Sequence, residues 1–175
     1  MVKLLLERND VNANSKDRSG QTPLWRAADR GDEAVVKLLL ERNNVDADSK
    51  DSFRRTPLSS AADKGYEAVV KLLLERNDVN ADSKDNSGQT PLGRAADRGH
   101  EAELKLLLER NDINADSKDS SGQTPLRMAA DRGHEAAMRL LLECNNVDVN
   151  WRKIKIRLRY RGLTGWTRCR PEREG

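Results

Sequence analysis

Two histidines, His100 and His134, are the first side chains in this 175-residue chain to test for chemistry. An imidazole pair can hold a metal or move protons near neutral pH. A zinc site wants a third protein ligand, and none accompanies them at ligand spacing. Both follow a glycine, as Gly99-His100 and Gly133-His134, at the same place in two copies of one sequence unit. The preferred reading is that each helps to start a helix. Carboxylates are abundant, with 29 Asp and Glu, but they recur unit after unit. An active site is singular, so a repeated carboxylate reads as solvated surface. Cys144 and Cys169 show neither metal-ligand spacing nor a framework of pairs, which points to reduced intracellular thiols. There is no GxGxxG and no Gly-Lys-Ser/Thr phosphate loop. The chain is therefore read as non-catalytic, with no cofactor and no metal.

The elements that position these residues form a repeat. Thr-Pro-Leu begins at Thr22, Thr56, Thr90 and Thr124, always 34 residues apart. The same register carries Ala27-Ala28, then Gly31, then Leu38-Leu39-Leu40, each with three further copies. Thr before Pro is a helix start: the hydroxyl caps free N–H groups and Pro fits the first helical position. A short helix is expected from about Pro23 to Arg30, with Leu24, Ala27 and Ala28 as its apolar stripe. Gly31 can end it at positive φ. A second helix is expected from about Glu33 to Arg42, with Val35, Leu38 and Leu39 on one face and Glu33, Lys37 and Glu41 opposite. Asn43 is expected to end it in the left-handed conformation. The polar stretch Asn44–Asp51 reads as an extended loop or hairpin, a finger. The composition suits such a stack. Only 36% of residues are apolar and 3% aromatic, and a solenoid buries one thin layer per unit.

These residues resemble the ankyrin repeat. The family signature Thr-Pro-Leu-His-x-Ala stands here as TPLWRA, TPLSSA, TPLGRA and TPLRMA, and the following Gly-His survives twice. The resemblance covers about residues 2–150 and implies an all-α solenoid of helix-turn-helix units with finger loops. Close-copy arrays of this kind resemble those attached to sensor ATPases of the NACHT type, although no ATPase sequence is present. The expected organisation is a repeat array over 1–150: a partial unit 1–21, units 22–55, 56–89 and 90–123, and a partial unit 124–150. Residues 151–175 are a basic, non-repeat tail, irregular or briefly β. The family period is about 33 residues, so one extra residue is expected in the finger, around Ala81-Asp82-Ser83. The family His after Leu is replaced by Trp25, Ser59, Gly93 and Arg127; it ties neighbouring loops, so its loss predicts reduced rigidity. Asn43, Asn77, Asn111 and Asn145 replace the family Gly after the second helix. Arg54 replaces the finger-turn glycine found at Gly20, Gly88 and Gly122, which predicts strain there if the turn needs positive φ.

The array and the tail differ in charge. Residues 1–150 hold 23 Lys and Arg against 27 Asp and Glu, and residues 151–175 hold 9 against 2. Lys153 to Arg161 alternates basic and apolar residues, the pattern of a strand with two faces. Three readings stand open: a nucleic-acid or anionic-surface arm with Trp151, Tyr160 and Trp166 available to stack, a cap on the last unit, or out-of-frame translation. The last, or an unstructured tail, is preferred to a nucleic-acid site. The opening inside a second helix and the abrupt change after Asn150 suggest a fragment of a longer array or a truncated gene model. The apolar N-terminal run is too short for a signal-peptide core, and nothing later in the sequence spans a membrane. The expected setting is intracellular, the cytoplasm with the nucleus as the alternative, as a monomer or part of a larger chain.

Another protein is the expected partner. The resemblance implies that it binds the concave surface made by fingers and first helices. The copies differ most there: Trp25-Arg26, Ser59-Ser60, Gly93-Arg94 and Arg127-Met128 in the first helix, with Arg18-Ser19, Ser52-Phe53, Asn86-Ser87 and Ser120-Ser121 at the finger tips. The expected contact residues are Arg26, Phe53, Arg55, Ser60, Asn86, Arg94, Arg127 and Met128. Phe53 is either an anchor or a ring folded over Arg54 and Arg55. Trp25 is expected to pack rather than to contact a partner. Arg30, Lys64, Arg98 and Arg132 form a basic column beside Asp29, Asp63, Asp97 and Asp131, the mixed ladder of a solvated face. Alternatives are tail-mediated nucleic-acid association, drift at unconstrained sites, and a structural spacer without a partner of its own.

Overall fold

A computed structural model describes residues 12–143. These residues form eight helices in four pairs: α1 (Pro23–Arg30) with α2 (Glu33–Leu40), α3 (Pro57–Lys64) with α4 (Glu67–Leu74), α5 (Pro91–Arg98) with α6 (Glu101–Leu108), and α7 (Pro125–Arg132) with α8 (Glu135–Glu143). No strand occurs among the described residues. Residues 1–11 of the first partial unit, residues 144–150 of the last one with Cys144 and Asn145, and the whole basic tail lie outside the described residues, and with them the expectations placed there.

Each first helix begins as its sequence dictates. Thr22, Thr56, Thr90 and Thr124 sit in extended backbone, and each hydroxyl accepts from the amide three residues on, with Pro next in line. Each ends at a left-handed glycine, Gly31 at φ 70° being the first. The second helices stop earlier than expected, at Leu40, Leu74 and Leu108. Asn43, Asn77 and Asn111 do not take the left-handed role, because Arg54 is the only non-glycine residue at positive φ among those described. The helix tightens instead: Arg42 N–H donates to the Leu39 carbonyl at 3.1 Å. An arginine from the next unit then takes the exposed carbonyl. Arg76 donates to Leu40 O at 3.2 Å and Arg110 to Leu74 O at 3.3 Å. The same guanidinium groups grip Asp78 and Asp112. With a neighbouring cation satisfying the helix end, no left-handed cap is required.

First helices stack on first helices and second on second, so the core is a continuous sandwich between two helical layers. Leu24, Leu58, Leu92 and Leu126 fill equivalent places in it, as do the paired alanines. Glu103 is buried where Val35 and Val69 stand in earlier units, a departure the helical pattern did not reveal.

The histidines serve the stack rather than the start of their own helix. Neither makes a described cap bond to its own helix; His100 stands at an N-cap without one. Its ring lies over Gly65, where an added Cβ would come within 2.8 Å, and Nε2 is 3.2 Å from the Asp63 carbonyl. His134 repeats this over Gly99, 3.0 Å from Asp97 O. Tyr66 covers Gly31 in the same way. Here the glycine is needed twice, for its positive φ and for the ring that occupies its Cβ space.

Candidate partner-binding surface

The fingers are built around one aspartate each. Asp17, Asp51, Asp85 and Asp119 accept two backbone amides on Oδ1, from residues two and four positions on. This local cage folds the polar stretch into a turn without strand pairing. Neighbouring fingers are then tied together. Ser52 N–H donates to Ser19 O at 3.0 Å, Asn86 N–H to Phe53 O at 3.0 Å, and Ser120 N–H to Ser87 O at 2.9 Å. Lys16 and Lys84 add bonds to Lys50 O and Lys118 O, both at 2.9 Å. The finger edge is thus one ordered row.

The second oxygen of each finger aspartate explains much of the variation between copies. Asp17 takes Arg26 from its first helix, and this hydrogen bond holds its carboxyl below the usual range, helped by the Gln21 amide. Asp85 takes Arg94, which also approaches Asp63 of the preceding unit at 3.5 Å. In the second unit the helix offers Ser60 instead, and Arg55 from the finger fills the place, 2.7 Å from the fully buried Asp51 carboxylate. The other units carry Gln at the position of Arg55. In the second unit the arginine lost from the helix is thus matched by one gained in the finger, whereas the fourth unit, with Met128 and Gln123, has neither.

The eight expected contact residues divide accordingly. Arg26, Phe53, Asn86 and Arg127 are exposed, and Arg55 and Arg94 are partly covered. Ser60 is 4% exposed and Met128 3%, which corrects their placement on the contact face. Ser60 donates to Asp29 Oδ1 at 2.7 Å, across the seam between units. Met128 occupies the space that Gly93 leaves, its sulfur 3.6 Å from where a Cβ would stand. In the last three units this helical position reaches the preceding unit, whether it carries Ser60, Arg94 or Met128. The expected column of charges forms in part: Arg98 reaches Asp63 at 3.1 Å and Arg132 reaches Asp97 at 3.2 Å, from unit to unit.

Trp25 is 3% exposed and packs, and its indole N–H donates to Arg55 O at 3.1 Å. That bond restores the tie between loops whose loss the missing histidine predicted. Ser59 instead completes a capping box with Thr56. Phe53 lies against Arg55, as the second of its two readings expected, and stays exposed. Its ring is 5.2 Å from the Arg55 guanidinium, whose other neighbour is Trp25 at 5.0 Å, yet Phe53 is 62% exposed. It is the exposed large hydrophobic residue of the described surface.

Sequence reasoning missed one feature of the finger bases. Asn14 accepts from Asp46 N–H at 2.9 Å and donates to Asn44 O at 2.6 Å. Asp48 and Asp82 stand at the equivalent places and accept from Asn80 and Asn114 N–H, leaving Oδ1 buried without a partner. Desolvation raises both carboxyls above their ordinary range. Asp82, near which an extra residue was expected, makes this link between units. The signal was present as Asn-Asp-Asp at 34-residue spacing, but only the structure says which oxygen is covered.

Among the described residues, no group of three or more His, Cys, Asp or Glu is placed to hold a metal ion. No helix there is long and apolar enough to cross a membrane. An open groove on the second-helix side is lined by Glu33, Glu67, Ala68, Lys71, Leu72 and Glu75. It gathers no catalytic set.

Paired helices stacked unit on unit, joined by an ordered row of fingers, define a helical repeat solenoid. A family model described as ankyrin repeats (3 copies) matches residues 1–85 and 76–153. The chain belongs to the ankyrin-repeat family, whose members are generally protein–protein interaction modules. A search of curated proteins gave no significant match.

Proposed function

We propose that the chain binds a protein partner across its fingers and first helices, the concave side in this family. The observation that carries the reading is the row of fingers, locked by bonds between successive units. Such a surface is ordered before a partner arrives, so little conformational entropy is lost on binding. Arg26, Phe53, Asn86 and Arg127 are exposed along it, with Arg55 and Arg94 behind them. Ser60 and Met128 support the surface from the seams between units.

The test compares two triple variants of the full chain in affinity capture. Phe53→Ala with Asn86→Ala and Arg127→Ala alters the proposed face. Glu67→Ala with Lys71→Ala and Glu75→Ala alters the groove on the other side. The first set is expected to lose partners that the second retains, with both variants as helical as the parent. Equal capture by the two, or the opposite pattern, would reject the assigned face.

A further inference from the structure

We propose that the second fingertip, Phe53-Arg54-Arg55, docks an acidic protein segment that carries an apolar residue; this rests on the reading above and names the partner's chemistry. The three positions are Ser-Gly-Gln in every other described finger, at 19–21, 87–89 and 121–123. All three change together in the second unit. Arg55 has an internal explanation, since it replaces the arginine missing at Ser60 and bonds Asp51. Phe53 and Arg54 have none.

Arg54 is held against local preference. Its φ is 60°, where the matching residues are Gly20, Gly88 and Gly122 at 74°, 70° and 71°. A Cβ at Gly20 or Gly88 would stand 3.0 or 2.9 Å from the next finger's backbone nitrogen. A side chain kept in such a place points to a use for it.

The surroundings define what would bind. Phe53 exposes most of its ring, but the Arg55 guanidinium braces it, itself fixed by Asp51 and Trp25. An ordered aromatic is a low-entropy anchor of the kind enriched at binding hot spots. Arg54 and Arg18 are exposed and make no ion pair among the described residues. The bond from Ser52 N–H to Ser19 O places the first fingertip, with Arg18, beside the second. The nearby acids are already engaged, Asp17 by Arg26 and Asp51 by Arg55. The result is an exposed ring with Arg54 next to it in sequence and Arg18 on the adjoining fingertip, neither cation ion-paired among the described residues, on an array that is acidic overall. Carboxylates flanking an apolar side chain complement it. A nucleic-acid strand fits less well, because the next tips are Asn86-Ser87 and Ser120-Ser121 and offer no cationic track for its backbone.

The test is fluorescence anisotropy of the full chain with a short labelled peptide of Asp and Glu around a central Leu. A matching peptide of Lys and a single-stranded oligouridylate serve as comparison probes. The acidic peptide is expected to bind, with affinity falling as salt rises. Phe53→Ala should weaken it by about fivefold or more. Arg54→Gly should weaken it too while the thermal midpoint rises, so that loss of binding cannot be loss of folding. Acidic-peptide binding that survives both substitutions belongs to the basic tail and overturns the proposal. So does absence of binding, or a Phe53-dependent preference for the oligonucleotide. In each of these cases the assignment of the concave face would still stand if the alanine set of the preceding test removed captured partners.

Discussion

Arg54 shows how one residue can oppose the local structure it occupies. Its left-handed backbone is the conformation that the missing glycine predicts, so this strain was legible from comparing the copies. Replacing it by glycine relieves the Cβ and should stabilise the chain by about 1 kcal/mol, measured as a higher denaturant midpoint with an unchanged slope. The aspartates at the finger bases present a second conflict, one of charge. Asn14 uses both its oxygen and its amide, whereas Asp48 and Asp82 bury an oxygen that receives nothing. Their carboxyls are raised above the ordinary range by desolvation. Proton binding therefore favours the folded state. The stability they contribute is full below the unfolded carboxyl range and is lost as pH rises through the folded values. At neutral pH both are a cost. Asp82→Asn should stabilise by about 0.5 kcal/mol at neutral pH, and the gain should shrink in acid as the parent Asp82 takes up its proton. Asp17, Asp78 and Asp112 have the opposite sign. Arginine hydrogen bonds lower them, so their contribution is present above the ordinary range and lost as pH falls through the depressed values. A pH series on parent and Asp82→Asn proteins separates the two groups; a gain that grew in acid would contradict the assignment.

At the scale of the element, the finger and first helix share one charge site. The aspartate cage fixes the turn, and in the first three fingers an arginine from either element closes it. Arg55→Gln leaves the buried Asp51 without its cation and should cost about 2 kcal/mol. Adding Ser60→Arg restores the Gln-and-Arg pairing of the first and third units, and most of the loss should return. The checking measurement is a double-mutant cycle by chemical denaturation; additive effects would show that the two positions do not exchange roles. This coupling marks the limit of what the sequence made legible. Helix starts, glycine stops and the first-helix stripe follow from local chemistry and appear where expected; in α2 the stripe turns by one position, with Val36 and Leu39 buried and Val35 and Leu38 half-buried. Which variable side chains face a seam does not follow in this way, because Arg94 and Met128 occupy the same helical position with opposite burial preferences. Ser60 and Met128 looked like contact residues for that reason. The end of the second helix was hidden for a related cause. Arg76 and Arg110 satisfy carbonyls 36 residues earlier, so Asn43 and Asn77 need no special backbone. Short-range rules cannot register a cap supplied by the next unit.

Among the described residues the molecule is a one-dimensional stack in which each helix pair packs mainly on its neighbours. Among the described residues, α1 and α2 make no substantial packing contact with α7 and α8. Stability is then a sum of unit and interface terms, and folding can be lost from an end inward. Leu126 is fully buried in α7, near the end of the described stack, and Leu126→Ala should cost about 3 kcal/mol. In a compact domain that loss would shift one shared transition. Here it should split the transition. Trp25 lies in α1 and bonds the second finger, so its fluorescence reports the opposite end of the array. With Trp151 and Trp166 replaced by Phe, the parent chain is expected to lose helical circular dichroism and Trp25 fluorescence together. In Leu126→Ala the helical signal should begin to fall at lower denaturant, while the fluorescence transition holds its midpoint. The reciprocal variant, Leu24→Ala, should move the fluorescence transition first. Coincident transitions in both variants would mean that coupling between neighbouring units, through the finger ladder and the rings over the glycines, is strong enough to make the four pairs unfold as one.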